Sequence, residues 1–305
     1  MSSLLRQKRS FFSTESRCVK SLIQLDLIRT FLVFPNILPK KLAYVKSMGI
    51  SAVILCAGYG TRLQHDLAND ETNFHLKGIP KPLLPLQSKP LIAYWIESFE
   101  NVTFISEIII VTNEVHKDLY QNFLKDFEHM KKPVSIVSDG STTNENRSGA
   151  VACMNLGVTN SSGDAFFIAG DTLFDKSFNL EEMIKKFLKL KAENSLVSLI
   201  ISAPVREDDV SKHGIIEVDE NGMVKTFLEK PQPNETISRV QSPCCYLISQ
   251  PSLVYINEFL DQMKNEPVSK KDATGNFIKY LVTKVATFTY QVSKRYDIGS
   301  LSSEF

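Results

Sequence analysis

The sequence predicts an α/β fold: a three-layer, mostly parallel, doubly wound sheet with a small antiparallel hairpin subdomain. Three observations carry that expectation. Apolar, β-branched runs alternate with amphipathic segments from residue 52 to residue 203, an order that makes right-handed crossovers and a helix-covered parallel sheet. The first run breaks into Gly58-Tyr59-Gly60-Thr61-Arg62, a tight turn at the carboxyl end of a strand, where such sheets bind ligands. After Ala203 the texture changes, and two alternating runs flank Asn221-Gly222, a strong hairpin signal.

The first strand is read at residues 52–57, an apolar run suited to burial on both faces. Successive N–H groups in the glycine turn form a concave anion site, and Arg62 adds forked donors suited to phosphate oxygens. About twenty residues on, Pro80-Lys81-Pro82-Leu83-Leu84-Pro85 presents Lys81 on a segment stiffened by proline. Further strands are expected at 107–111, 134–137, 165–169 and 196–203, with helices at 91–100, 115–129, 149–157 and 180–193. The hairpin pairs 214–219 with 223–227 and ends in Leu228-Glu229-Lys230-Pro231. A strand at 244–248, helices at 252–264 and 274–283, and a last strand at 285–292 lead to Tyr296-Asp297-Ile298-Gly299. Residues 48–305 are read as one domain.

The 305 residues are 43% hydrophobic and 23% charged, ordinary for a soluble globular chain. The net charge of +1 hides an asymmetry: residues 1–47 carry nine Lys/Arg against two Asp/Glu, leaving 26 basic and 32 acidic side chains elsewhere. The mildly acidic body argues against nucleic acid as a partner. Residues 1–47 form a basic extension, read either as an organellar presequence or as an inert or docking segment. A cytoplasmic location is expected, with organellar targeting left open. Asp26 and Arg29 interrupt its apolar stretch, so no membrane span is expected. Cys18, Cys56, Cys153, Cys244 and Cys245 form no C-x-x-C pair and are expected reduced, without zinc. The five histidines show no metal-ligand spacing, and most are expected at the surface.

Gly58 to Leu63 reads G-x-G-T-R-L and Pro80 to Pro85 reads P-K-P-L-L-P. Both halves, in this order and spacing, resemble the signature of the sugar-phosphate nucleotidylyltransferases, the pyrophosphorylases that make nucleotide sugars. The resemblance runs from about residue 48 to residue 299. It implies transfer of a nucleoside monophosphate from an NTP to a sugar 1-phosphate, with Mg2+ as cofactor and pyrophosphate released. It implies catalytic roles for Arg62 and Lys81, and nucleotide binding by Ala57, Gly58, Gly60 and Thr61. Asn144 and Gly149 fall where the family reads the base, although this segment is longer and more polar than in bacterial thymidylyltransferases. Glu229-Lys230-Pro231 matches the family's E-K-P, so Glu229 and Lys230, with Gly214, would bind the sugar phosphate. Asp171 ends a buried strand in a carboxylate, and Asp297 matches the family's late D-x-G. Together they would hold the metal. That pair is expected near Lys81, with Lys230 across the cleft. A non-catalytic regulatory homologue that binds a nucleotide sugar, and a transferase for another phosphate such as phosphocholine, are the alternatives. A nicotinamide dehydrogenase fails, because the third glycine of its fingerprint is missing. Base, sugar and homo-oligomerisation stay open.

Overall fold

The computed structural model describes residues 49–159, 161 and 163–297, the last by its backbone. The basic extension 1–47, Cys18 and Ile298-Gly299 lie outside the described residues.

Strand β1 (Ile50–Leu55) lies inside a ten-stranded mixed sheet. Helix α1 (Thr61–Ala68) follows the glycine turn, and the proline segment closes in a ribbon of β2 (Pro85–Leu86) and β3 (Lys89–Pro90). Helix α2 (Leu91–Asn101) leads to β4 (Ile105–Thr112), and α3 (Lys117–Leu124) leads to β5 (Val134–Ser138). Helix α4 (Ala150–Val158) leads to β6 (Asp164–Ala169). β1 runs parallel to β4 and β6, and β4 to β5, giving the parallel core the sequence predicts. After β7 (Thr172–Phe174) come α5 (Leu180–Glu193) and β8 (Val197–Pro204). The hairpin is β9 (Gly214–Val218) with β10 (Val224–Glu229), antiparallel as expected. It joins the sheet through β11 (Val240–Gln241), which pairs with both β9 and β8. β12 (Cys245–Ile248) lies antiparallel between β6 and β8. The chain continues through α6 (Val254–Gln262), α7 (Val268–Asp272), α8 (Thr274–Val282), β13 (Ala286–Gln291) and β14 (Arg295–Asp297). β13 is parallel to β8, and β14 pairs with β7 in a separate ribbon.

The period-2 alternation of the strands builds the three layers. Ala52, Ile54, Phe166 and Ile168 face one core, with Ile92, Trp95, Ile96 and Phe99 of α2 and Met183, Ile184 and Phe187 of α5. Val53, Ala165 and Phe167 face the other, with Val151 and Met154 of α4, Ile256 and Phe259 of α6, and Phe277, Ile278 and Leu281 of α8. Helix α5 matches its expected bounds because its start is chemically marked. The Asn179 side chain caps it by accepting from Glu182 N at 3.1 Å, and Glu181 and Glu182 sit in its first turn.

Several expectations need correction. The first strand begins at Ile50 and stops at Leu55, so Cys56 and Ala57 already belong to the turn. Helix α1 was not expected after the glycines. Its Leu63 and Leu67, four residues apart, pack on Leu84 as a small satellite core. The expected helix at 115–129 shortens to Lys117–Leu124 followed by a 3-10 turn. The hairpin loop also runs longer than a two-residue turn, because Asp219 Oδ1 accepts from both Asn221 N and Met223 N. His65, His75 and His129 are exposed, as expected of most of the histidines, whereas His116 is buried.

Candidate active site

The carboxyl ends of β1, β5 and β6 open onto a cavity of about 430 Å3 whose other wall comes from the hairpin, α7 and the start of α8. Ala57, Gly58, Asp139, Gly149 and Asp171 line it from the sheet side. Gly214, Glu229, Lys230, Thr274, Gly275 and Arg295 line it from the opposite side.

Gly60 takes a left-handed conformation, φ 60 and ψ 31, and starts α1 there. That turns Arg62 into the exposed first turn of the helix. The aliphatic stem of Lys81 packs against Gly60: a Cβ built there would touch Lys81 Cγ at 3.6 Å. The two halves of the motif are therefore in contact, which their spacing of about twenty residues could not by itself guarantee. Lys81 Nζ lies 4.0 Å from Asp171 Oδ2, both side chains half-buried. Gly170 permits this approach. A Cβ at that position would sit 2.7 Å from Cys56 Sγ and 2.9 Å from Pro82 Cγ, pushing the end of β6 off the proline loop. The β14–β7 register sets residue 297 opposite Thr172, one residue beyond Asp171. The backbone thus brings the two acidic motifs side by side, although they are 126 positions apart. Among the described residues, no group of three or more His, Cys, Asp or Glu converges.

On the opposite wall, Glu229 is half-buried between two glycines. A Cβ at Gly275 would fall 1.8 Å from Glu229 Oε2, and one at Gly214 would fall 3.2 Å from it. Burial raises the Glu229 carboxyl above its usual range, with Lys230 opposing the shift. Lys230 has φ 49, a conformation rare outside glycine, held by its N–H on His213 O at 3.0 Å. Arg295 places Nη1 3.3 Å from His213 Nδ1, and Nη2 donates to Thr172 Oγ1 at 3.4 Å. Cys244 also lines the cavity, but burial pushes its thiol up to about 12, so it stays protonated and is no nucleophile.

The expected residues divide. Ala57, Gly58, Gly149, Asp171, Gly214, Glu229 and Lys230 line one cavity. Among the described residues its wall does not include Gly60, Thr61, Arg62, Lys81 or Asn144. Gly60 packs on Lys81, whose Nζ reaches Asp171 in that wall. Asn144 stands off in the polar loop, where its carbonyl accepts from Arg147 Nη1 at 2.6 Å. Gly149 has φ 90, and a Cβ built there would lie 3.1 Å from the Lys271 carbonyl oxygen, so any side chain at this position is strained.

Sequence reasoning missed a network behind the glycine turn. Asn113 Nδ2 donates to Ala57 O at 3.0 Å and meets His116 Nδ1 at 3.1 Å, which places the ring proton on Nε2. Burial lowers the His116 pKa and keeps the ring neutral. Tyr59 OH donates to Ser141 Oγ at 3.0 Å, and Ser141 Oγ donates to Asp139 Oδ1 at 2.7 Å. Tyr59 lies inside the glycine motif, but Asn113, His116 and Ser141 belong to no short motif, so no local signal marked them.

Such a cleft, with a glycine turn and a lysine-carboxylate pair at the strand ends of a doubly wound sheet, defines an α/β protein of the kind that handles phosphorylated ligands. Residues 51–305 match the family described as Nucleotidyl transferase, and the chain belongs to that family. It is 28% identical over 184 residues to a probable mannose-1-phosphate guanylyltransferase 2 of Oryza sativa subsp. japonica, covering 60% of this chain and 46% of the relative. It is 28% identical over 181 residues to the D-glycero-alpha-D-manno-heptose 1-phosphate guanylyltransferase of Campylobacter jejuni, covering 59% of this chain and 69% of that one. The chain spans about half the length of the plant relatives it matches. Among solved structures, a UDP-glucose pyrophosphorylase bound to UDP-glucose superposes with a TM-score of 0.64 at 22% identity, over 84% of this chain and 96% of that one. A putative glucose-1-phosphate thymidylyltransferase from Bacillus anthracis gives 0.66 at 17% identity, over 84% and 92%. These likenesses bear on the fold.

Proposed function

We propose that the chain transfers a nucleoside monophosphate from an NTP to a sugar 1-phosphate and releases pyrophosphate. The observation that carries this reading is one cavity holding the Gly58 turn and Asp171 on one wall and Glu229-Lys230 on the other. Relatives named as guanylyl and uridylyl transferases for sugar 1-phosphates support the class and differ in base and sugar.

An oxygen of the sugar phosphate attacks the α-phosphorus, and the bond to the bridging oxygen of pyrophosphate breaks. No protein nucleophile is needed, so catalysis rests on position and charge. Arg62 and the backbone of Gly58, Gly60 and Thr61 hold the β- and γ-phosphates. Lys81 offers its ammonium to charge developing on the α-phosphoryl oxygens. Lys230 offers positive charge to the attacking phosphate, while half-buried Glu229 accepts hydrogen bonds from sugar hydroxyls.

A carboxylate donor such as Asp171 suits Mg2+, a hard cation that takes oxygen ligands. Asp171 supplies a hard oxygen ligand in the cavity wall, and the ribbon register brings the backbone of Asp297 beside it. Asp171 and Asp297 are the residues that would hold the ion, and when bound it neutralises phosphate charge. A pyrophosphate-release screen of NTPs against sugar 1-phosphates, with and without Mg2+, tests the reading. Absence of release from every pair would overturn it.

A further inference from the structure

We propose that Arg295 is a second acceptor-binding cation, which with Lys230 holds the phosphate of the sugar 1-phosphate, and that His213 sets its guanidinium in place. The inference rests on the nucleotidyl-transfer reading above. Arg295 immediately precedes the Tyr296-Asp297-Ile298-Gly299 motif and belongs to no motif itself. It starts the short ribbon strand β14, where side chains alternate between faces. Tyr296 lines a separate groove with Trp95 and Phe178, while Arg295 lines the cavity.

Both walls of the cleft anchor the guanidinium. Nη2 reaches Thr172 Oγ1 at 3.4 Å. Thr172 adjoins Asp171, is fully buried, and accepts at its carbonyl from Trp95 Nε1 at 2.7 Å, so this anchor is fixed from the core. Nη1 lies 3.3 Å from His213 Nδ1. A guanidinium only donates, so Nδ1 accepts and the ring proton of His213 lies on Nε2.

His213 carries two cations. Its ring holds Arg295, and its carbonyl accepts from Lys230 N at 3.0 Å. Arg295 and Lys230 therefore converge on one stretch of the cavity wall. Arg147 and Lys212 also line the cavity but engage carboxylates, Asp272 at 3.0 Å and Asp209 at 2.8 Å. Lys230 meets Glu229 only at 4.0 Å, beyond hydrogen-bond reach. The contacts with His213 and Thr172 use two of the five N–H donors that Arg295 carries.

A phosphate monoester carries about −1.5 to −2 charge at pH 7, which two cations match better than one. Lysine is a point charge that lets the phosphate turn, whereas the planar fork of arginine fixes the directions of two oxygens. Arg295 thus supplies orientation as well as charge, and leaves a third oxygen aimed at the α-phosphorus.

The test measures kcat and KM of the full chain by pyrophosphate release, with the NTP and the sugar 1-phosphate varied in turn. Arg295→Ala should raise the acceptor KM by about ten- to a hundredfold, the usual worth of one hydrogen bond to a charged group, with the KM for NTP unchanged. Arg295→Lys keeps the charge and loses the fork, so its acceptor KM should lie between the two. His213→Phe removes the ring acceptor, keeps the carbonyl on Lys230, and should raise the acceptor KM in the same direction. Thermal melts run beside the kinetics. A folded Arg295→Ala with a wild-type acceptor KM, or with both KM values raised alike, overturns the inference and leaves nucleotidyl transfer standing. If Arg295→Ala does not fold, Arg295→Lys and His213→Phe decide by the same criterion. If the wild type turns over no pair of substrates, transfer itself fails. Calorimetric titration with glucose 1-phosphate, mannose 1-phosphate and the free sugars then decides. Binding of a sugar phosphate but not its free sugar, weakened in Arg295→Lys and His213→Phe, sustains the inference, and equal binding in all three proteins, or none in the wild type, overturns it.

Discussion

Gly275→Ala tests the acceptor wall with one added carbon. The new Cβ would lie 1.8 Å from Glu229 Oε2, 2.8 Å from Glu229 Cδ and 2.9 Å from Phe227 Cε1. Ordinary contact requires the carboxylate to retreat by roughly 1.5–2 Å. Phe227 is 3% exposed and cannot follow it into solvent. Overpacking of this kind costs about 1–3 kcal/mol, and each kcal/mol lowers Tm by about 2–4 °C in a chain of this size. Displacing a positioning group by about 1 Å can cost on the order of a hundredfold in rate. A fall of about ten- to a hundredfold in kcat/KM for the sugar phosphate is expected, with the KM for NTP near wild type. Pyrophosphate release with each substrate varied in turn, beside a thermal melt, measures both. A destabilised variant with a wild-type acceptor KM would refute the placement of Glu229 on the acceptor.

Arg62→Ala removes an exposed side chain, so the melt should not move, while turnover should fall by about 10²–10³, the usual loss for one charge-stabilising donor. Normal activity in the folded variant would remove Arg62 from the mechanism. Lys191→Met leaves Asp164, 2% exposed and bonded at 2.7 Å through both oxygens, without its ammonium partner. Because Lys191 is about a third exposed, the cost should be about 2–3 kcal/mol, below a fully buried pair, read as a shift of the urea midpoint at constant m. Glu229→Gln removes a carboxyl whose folded pKa is raised, mainly by burial, above the usual value of 4.5. The folded wild type holds that proton more tightly than the unfolded chain, so its stability declines as pH rises from 4.5 to the raised value and stays lowered above it. The variant should lose this decline and gain relative stability at neutral pH, and parallel wild-type and variant stability curves across that window would exclude the effect.

Sequence alone determined the sheet, its crossovers and the hairpin, because strand and helix periodicities are local and the apolar runs are long enough to read. It determined the bounds of α5, whose cap and first-turn acids are adjacent in the chain. It also marked the two motif halves, since glycine, proline and charge at fixed offsets leave few other meanings. Only the tertiary structure decided which of those residues share a cavity. Gly170 brings Asp171 against Lys81 through contacts with Cys56 and Pro82, residues far apart in the chain. The β14–β7 register sets Asp297 beside Thr172 across more than a hundred positions. Asp139 reaches the cavity wall while Asn144 does not, because β5 ends at Ser138 and a folded polar loop carries the next residues away. Local propensity has no information about which loop turns inward. That depends on long-range bonds such as Tyr59 to Ser141, which form only once the sheet has brought both ends together.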